Sequence, residues 1–400
     1  MKKYLIVIII LFSVFLFFKN TYKEEVKEKI QIKDEKKEKK AIFISYIELQ
    51  KYIGKKDSKT SKKNIEKIIN TIDDANFNMI ILQVRSFSDA IYKSNYFPFN
   101  KQVLNNSGDI PDYDILNYFI DKSHKKNIEI HAWINPYRIS NDNDISKLDN
   151  NTYAYKWLNT NNVKITDKGI FYNPASDDVK KLIINGVEEI VKKYDIDGIH
   201  FDDYFYPTDD IDIDNYNYNE YIKEKNISIE KYHLQMVNDL VSEVHKITKE
   251  NKILFGISPE GNINNNYTKN YADVKKWASS NEFVDYLMPQ IYYGFNNEAQ
   301  PFYEVVNTWN NLVEESNVKI IPALALYKSG EKDMYAKSGE NEWIENDNIL
   351  MRQILISRNI SSYLGFSIFR YDSMFSEDIT NQTVLNEIKN IKKITKEKNI

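Results

Sequence analysis

The stretch Asp197-Gly198-Ile199-His200-Phe201-Asp202-Asp203-Tyr204-Phe205-Tyr206-Pro207 sets two adjacent carboxylates inside an apolar and aromatic run. Such a pair is costly to bury unless it is hydrogen-bonded, paired or put to use. Crowded carboxylates also push one pKa upward, which keeps a neutral acid available near neutral pH. In an extended strand His200, Asp202 and Tyr204 share one face, and Phe201 and Asp203 the other. The same alternation puts Gln83 with Arg85, His131 with Trp133 and Asn135, Ser258 with Glu260, and Gln290 with Tyr292. For any one of these alone, a satisfied buried polar group is the plainer reading. Together, on one parity and at successive strand ends, they describe a polar funnel. Glu260 is the candidate second carboxylate. Glycosidic hydrolysis generally uses two, about 5–5.5 Å apart for retention and about 6.5–9.5 Å for inversion. Adjacent strand ends can deliver either spacing. Asp285 precedes its strand and belongs to the opposite, stability face, whereas Asp372 follows one, beside Arg370.

Other chemistries are excluded or weak. With no cysteine, the chain has no disulfide, thiolate metal site or cysteine nucleophile. Five His are scattered without ligand spacing. The run Asp209-Asp210-Ile211-Asp212-Ile213-Asp214 opens like a calcium loop, but Asn215 stands where glycine is wanted and Tyr221 where the closing Glu belongs. No metal and no cofactor are expected. A net charge of −4 and dispersed basic residues argue against a nucleic-acid partner.

The elements that must position these residues alternate about eight times from Ala41 onward. Expected strands are Ile42–Tyr46, Met79–Arg85, Ile128–Ile134, Gly198–Asp202, Ile253–Ser258, Tyr286–Ile291, Lys319–Leu326 and Tyr363–Phe369. Amphipathic helical patterns lie between them, among them Lys63–Ala75, Val179–Lys193, Ile229–Lys249 and Thr383–Ile394. Repeated strand–helix alternation favours an α/β fold, a single (β/α)8 TIM barrel over 41–395, whose C-terminal strand ends carry the active site. Ahead of it, Lys2 and Lys3 precede an apolar run from Tyr4 to Phe18 closed by Lys19. Residues 1–19 therefore read as a signal peptide or membrane anchor, the uncleaved anchor preferred because no small-x-small site follows. Residues 20–40 alternate Lys and Glu and read as a charged, disordered tether. Either reading of the leader places the barrel outside the cytoplasm, with membrane contact through the N-terminal segment only. Aromatics make up 14% of the chain, including 29 Tyr. That suits flat hydroxylated ligands, and it equally fits the general abundance of Asn, Ile, Lys and Tyr.

Asp197–Pro207, Gln83-Val84-Arg85, His131-Ala132-Trp133-Ile134-Asn135-Pro136-Tyr137-Arg138 and Phe255-Gly256-Ile257-Ser258-Pro259 resemble the family-10-like glycosyl hydrolases, the DUF187 group. So do Asp285–Tyr292 and Gly365–Phe369, in the expected order on successive strands. The resemblance implies an exported glycosidase-type barrel acting on cell-wall or exopolysaccharide glycans, peptide-free peptidoglycan strands included. It points to Asp202 and Asp203 as the acidic centre, with Arg85, His131, Asn135, His200 and Gln290 lining the site. Trp133, Trp157, Trp343, Tyr137 and Tyr206 are candidates for sugar stacking. Two mechanisms stay open. One pairs an Asp with Glu260. In the other an N-acetyl group of the substrate is the nucleophile, one Asp orients it, its neighbour protonates the leaving oxygen, and Tyr292 or Tyr204 steadies the ring intermediate. A membrane-tethered glycan-binding protein without catalysis, and a structural envelope protein, are the competing readings.

Overall fold

The hydrogen bonding that organises this chain is almost wholly parallel. The computed structural model describes residues 38–101, 103, 111–203, 205–207, 210 and 212–397. The expectations for residues 1–19, for most of the tether and for Tyr204 lie outside them. Twelve strands occur among the described residues: β1 (Lys39–Ile44), β2 (Met79–Arg85), β3 (Glu129–Ile134), β4 (Arg138–Ser140), β5 (Val163–Thr166), β6 (Gly169–Tyr172), β7 (Gly198–Phe201), β8 (Leu254–Ile257), β9 (Tyr286–Leu287), β10 (Lys319–Ile320), β11 (Ala323–Ala325) and β12 (Gly365–Phe369). Nine of them form one sheet in the order β10-β9-β8-β7-β3-β2-β1-β12-β11. Its registered pairs are all parallel.

The segment 319–325 holds both ends of that sheet. Ile321 N donates to Leu287 O at 2.9 Å, and Ser367 N donates to Pro322 O at 3.0 Å. The sheet therefore curls until its first and last strands meet on one stretch of chain, a TIM-barrel-like α/β architecture. Where one strand was expected over Lys319–Leu326, Pro322 lacks the N–H that would continue the ladder, and two short strands flank it. The unit starts at Lys39, so Lys39 and Lys40 belong to β1 and not to the tether.

Two apolar layers follow from strand alternation. Ala41, Phe43, Met79, Ile81, Trp133, Tyr286, Met288, Ile321 and Ala323 fill the inside of the curl. Ile42, Ile44, Ile80, Leu82, Ile130 and Ile134 face outward against the helices. Helix 229–250 shows how those helices dock: Ser228 caps it, and Leu234, Val237, Val241 and Val244, three or four residues apart, are buried on one face. Helix 177–193 carries Asp177 and Asp178 in its first turn and Lys192 and Lys193 in its last, matched to the helix dipole. Two glycines make the interior possible. A Cβ on Gly256 would lie 1.9 Å from the Tyr286 ring, and one on Gly198 would lie 2.3 Å from His131.

After β3 the chain builds an antiparallel ribbon, β4-β6-β5, which sequence patterning did not anticipate. Among the described residues no helix is long and apolar enough to cross a membrane.

Candidate active site

At the C-terminal strand ends lies a cavity of about 410 Å³, whose lining includes Gln83, Trp133, Asp202, Asp203, Ser258, Gln290 and Tyr292. Five neighbouring strands or their exits, β2, β3, β7, β8 and β9, thus deliver these residues.

Asp202 is 5% exposed and sits where β7 ends. Its Oδ2 accepts from Trp133 Nε1 at 3.3 Å and from Asn135 Nδ2. A polar ladder crosses the neighbouring strand ends to reach it. Tyr46 N donates to Gln83 Oε1 at 2.8 Å, and Gln83 Nε2 donates to Asn135 Oδ1 at 2.5 Å. Asp203 is half-buried. Burial, reinforced by the charge of Asp202, pushes its carboxyl up to about 7, against a hydrogen bond from Gln290 that works the other way. Such a group still carries its proton about half the time at neutral pH and can give it up. Gln290 is itself anchored by donating to Ser258 O at 3.0 Å.

The cavity wall beside these carboxyls is aromatic. Trp133 packs edge-on against Phe43 at 5.5 Å, Phe43 against Phe369 at 5.5 Å, Phe369 against Tyr292 at 5.9 Å, and Tyr292 against Tyr327 at 5.9 Å. Tyr46, Arg138, Tyr327, Phe369 and Arg370 also line the cavity and are not among the site residues expected from sequence. Each sits at a strand exit or just beyond one, where strand parity has stopped giving directions. Arg370 pairs with the fully buried Glu48, not with Asp372. Glu48 also accepts from Ser45 N at 3.0 Å, so one carboxylate ties the exit of β1 to that of β12. Asp372 turns away and takes Tyr52 Oη–H at 2.6 Å and Lys51 at 3.0 Å.

Several expected residues lie elsewhere. Arg85 does not share a face with Gln83. The register of β2 on β3 shifts between them, pairing Gln83 with Trp133 but Arg85 with Ile134. That bulge turns Arg85 outward, and its guanidinium lies 3.6 Å from the centre of the Phe97 ring. His131 and His200 point inward but are fully buried behind the cavity. His131 Nδ1 and His200 Nδ1 flank Tyr286 Oη at 2.8 and 3.0 Å, and His200 Nε2 meets Ser258 Oγ at 2.6 Å. Burial holds the His200 imidazole well below its usual range, so it stays neutral. Only Ser258, at the end of this chain of contacts, reaches the cavity.

Tyr137 is buried among the helix-facing residues. Trp343 joins the same core, Trp157 packs on Tyr153 and Tyr172, and Tyr206 donates to Asp214 at 2.9 Å; none of the three lines the cavity. Glu260 is half-buried outside the lining, its Oε1 accepting from Asn265 at 2.5 Å, although its charge still acts on Asp203. Asp285 accepts from Phe255 N at 2.8 Å at the start of its strand, on the stability face. In the run 209–214, Asp214 is buried against His233 at 2.7 Å. No group of three or more His, Asp or Glu among the described residues is arranged to hold a metal ion.

Comparison with known proteins places this geometry in context. The profile of the family described as glycosyl hydrolase-like 10 matches residues 38–344. Glycosyl hydrolase YngK of Bacillus subtilis (strain 168) is 30% identical over 328 residues, which cover 77% of this chain and 62% of the relative. The chain thus spans less than two thirds of that relative's length. Glycosyl hydrolase DigH of Escherichia coli (strain K12) is 26% identical over 335 residues, 74% of this chain and 72% of its own. Among solved structures, the glycoside hydrolase domain of PgaB (BpsB) from Bordetella bronchiseptica superposes with a TM-score of 0.55 at 11% identity, over 90% of this chain and 99% of that one. This last likeness is one of fold.

Proposed function

The chain belongs to the glycosyl hydrolase-like 10 family, and from that membership we propose that it hydrolyses O-glycosidic bonds of a bacterial cell-wall or matrix polysaccharide containing N-acetylhexosamine. The observation that carries this reading is Asp203, a carboxyl pushed up to about 7 by burial and by its neighbour Asp202, in a cavity with an aromatic wall. Asp203 is the general acid. It protonates the glycosidic oxygen as the bond from that oxygen to the anomeric carbon breaks.

The nucleophile is the acetamide oxygen of the substrate. Asp202 and Asp203 are the carboxyls among the described residues that line the cavity, and Glu260 is engaged by Asn265 outside it. Asp202, whose Oδ2 already accepts two N–H donors, orients the acetamide through its N–H. A water molecule then attacks the anomeric carbon of the resulting ring, giving its proton back to Asp203 and releasing the sugar. One observation favours the two-carboxylate alternative: the charge of Glu260 is felt by Asp203.

We read the sheet as a closed (β/α)8 barrel, supported by the bonds of segment 319–325 to both sheet ends. We also place it outside the cytoplasm, tethered by residues 1–19. The support there is sequence alone: Lys2 and Lys3 ahead of the apolar run Tyr4–Phe18.

The test incubates the full chain with peptide-free peptidoglycan strands and with poly-N-acetylglucosamine, beside Asp203→Asn, and reads products by mass spectrometry. Defined oligosaccharides from wild type alone are expected. Saturable binding with intact glycan in every tube would replace this reading by that of a tethered glycan-binding protein.

A further inference from the structure

A second cavity, of about 400 Å³, opens between the segments that follow β2 and β3. It shares Tyr46 with the cavity at Asp203, so one ring is wall to both. The divide is built of aromatics and one guanidinium. Phe87 meets Tyr46 edge-on at 4.9 Å, and Arg138 lies 4.6 Å from the Phe87 ring centre while donating from Nε to Ser86 O at 3.0 Å. Phe87 and Phe99 give the second cavity flat apolar faces, and Asp89, Asn141 and Thr152 give it hydrogen-bonding groups.

Its charges are largely spent on one another. Lys147 pairs with Asp142 at 2.7 Å and Lys101 with Asp149 at 3.4 Å, all four in the lining. Burial raises the Asp89 carboxyl, moving that group toward neutrality as well. Among the described lining residues both lysines are paired with carboxylates, which disfavours a phosphate or carboxylate ligand, whereas a neutral hydroxylated ring finds flat faces and polar groups together. The segment is also held in shape. Ser88 has a left-handed backbone (φ 56°), and its hydroxyl meets Tyr172 Oη of β6 at 2.5 Å, which sets Phe87 and Asp89 on either side of it.

We propose that this cavity is a carbohydrate subsite, holding a further uncharged pyranose ring of the same glycan whose bond is presented to Asp203. The inference rests on the hydrolase reading above. Together the two cavities have the volume of an extended ligand site. The glycan crosses the Tyr46–Phe87 ridge between them, so the site favours longer substrates.

The experiment measures binding of N-acetylglucosamine oligomers, two to six residues long, to full-length Asp203→Asn, and kcat/KM for the same oligomers on wild type. Affinity is expected to rise with length until the second cavity is filled. Phe87→Ala removes that increment, roughly five- to tenfold in Kd for stacking one sugar face, and leaves the shortest bound oligomer unaffected. Phe87→Leu, which keeps apolar bulk without the flat face and guards against a folding defect, loses it too, while Phe87→Tyr retains it. Oligomers that bind and are cut with no length increment, or an increment that survives Phe87→Ala, would overturn the subsite and leave the hydrolase standing. Oligomers neither bound nor cut at any length would remove both.

Discussion

Asp203→Asn should make the protein more stable while abolishing turnover. A carboxyl raised from 3.8 to about 7 binds its proton more tightly in the folded chain than in the unfolded one. The stability tied to that proton is fully present below about pH 4 and is lost as pH rises through 7. Each pH unit between those values costs about 1.4 kcal/mol, so at pH 8 the wild-type site carries a penalty of about 4 kcal/mol. Local relaxation brings the measurable part to about 2–4 kcal/mol. Asparagine carries no charge at any pH and can still accept the hydrogen bond from Gln290. Thermal midpoints of wild type and variant, followed by circular dichroism from pH 3.5 to 8, should therefore coincide at the acid end and separate steadily above pH 4. At pH 8 the variant should melt several degrees higher, at about 2 °C or less per kcal/mol in a chain this long. Parallel curves with no widening gap would mean that the fold does not raise this carboxyl, and the assignment of Asp203 as the acid would fall with it.

The same group sets the pH dependence of the reaction: kcat/KM should fall about tenfold per pH unit above pH 7, and a profile still flat at pH 8.5 would exclude Asp203 as the proton donor. Asp202→Asn should fold normally and lose at least about a hundredfold in kcat, whereas Glu260→Gln should stay within about tenfold of wild type. The reverse order would install Glu260 as the second carboxylate. Arg85→Met should change kcat/KM by less than about threefold, since Arg85 faces Phe97 behind β2; a large rise in KM would return it to the site. Gly256→Ala, with a Cβ driven into the Tyr286 ring, should cost about 3 kcal/mol or more, or leave no soluble protein.

Sequence pattern revealed elements and faces, but not depth or register. Met79–Arg85 was legible as a strand to the residue, and Asp202 and Asp203 as two carboxyls brought together at a strand end, where both line the cavity. The bulge that turns Arg85 away leaves no mark in residue type, because it lies in how β2 registers on β3. His131 and His200 were rightly given inward faces, yet parity says nothing about distance along the axis of the curl. They sit in the packed interior around Tyr286 while Trp133 and Asp202 reach the cavity. The ribbon β4-β6-β5 escaped because its strands are three or four residues long. Its one local signal was Gly169, which closes the turn into β6 at φ 129°. Arg370 was read against its near neighbour Asp372, but its partner, Glu48, lies at the opposite end of the sequence. Only closure of the sheet brings the two together.

The polar ladder explains how one of two adjacent aspartates can keep its charge while the other keeps its proton. Tyr46 N can only donate, so the atom of Gln83 facing it must be the amide oxygen, and Gln83 Nε2 must face the other way. Asn135 therefore presents Oδ1 to Gln83 and Nδ2 to Asp202. Each orientation follows from the one before it, and the last N–H necessarily points at Asp202 Oδ2, beside that of Trp133. A proton on that oxygen would oppose both donors. Asp203, a residue further on, faces the charge so maintained and receives one side-chain hydrogen bond, from Gln290, so it is the cheaper of the two to protonate. The contrast between the two carboxyls is thus set at Tyr46, three strands away from them. Gln83, which also lines the cavity, becomes the residue whose replacement by an apolar side chain would blur it.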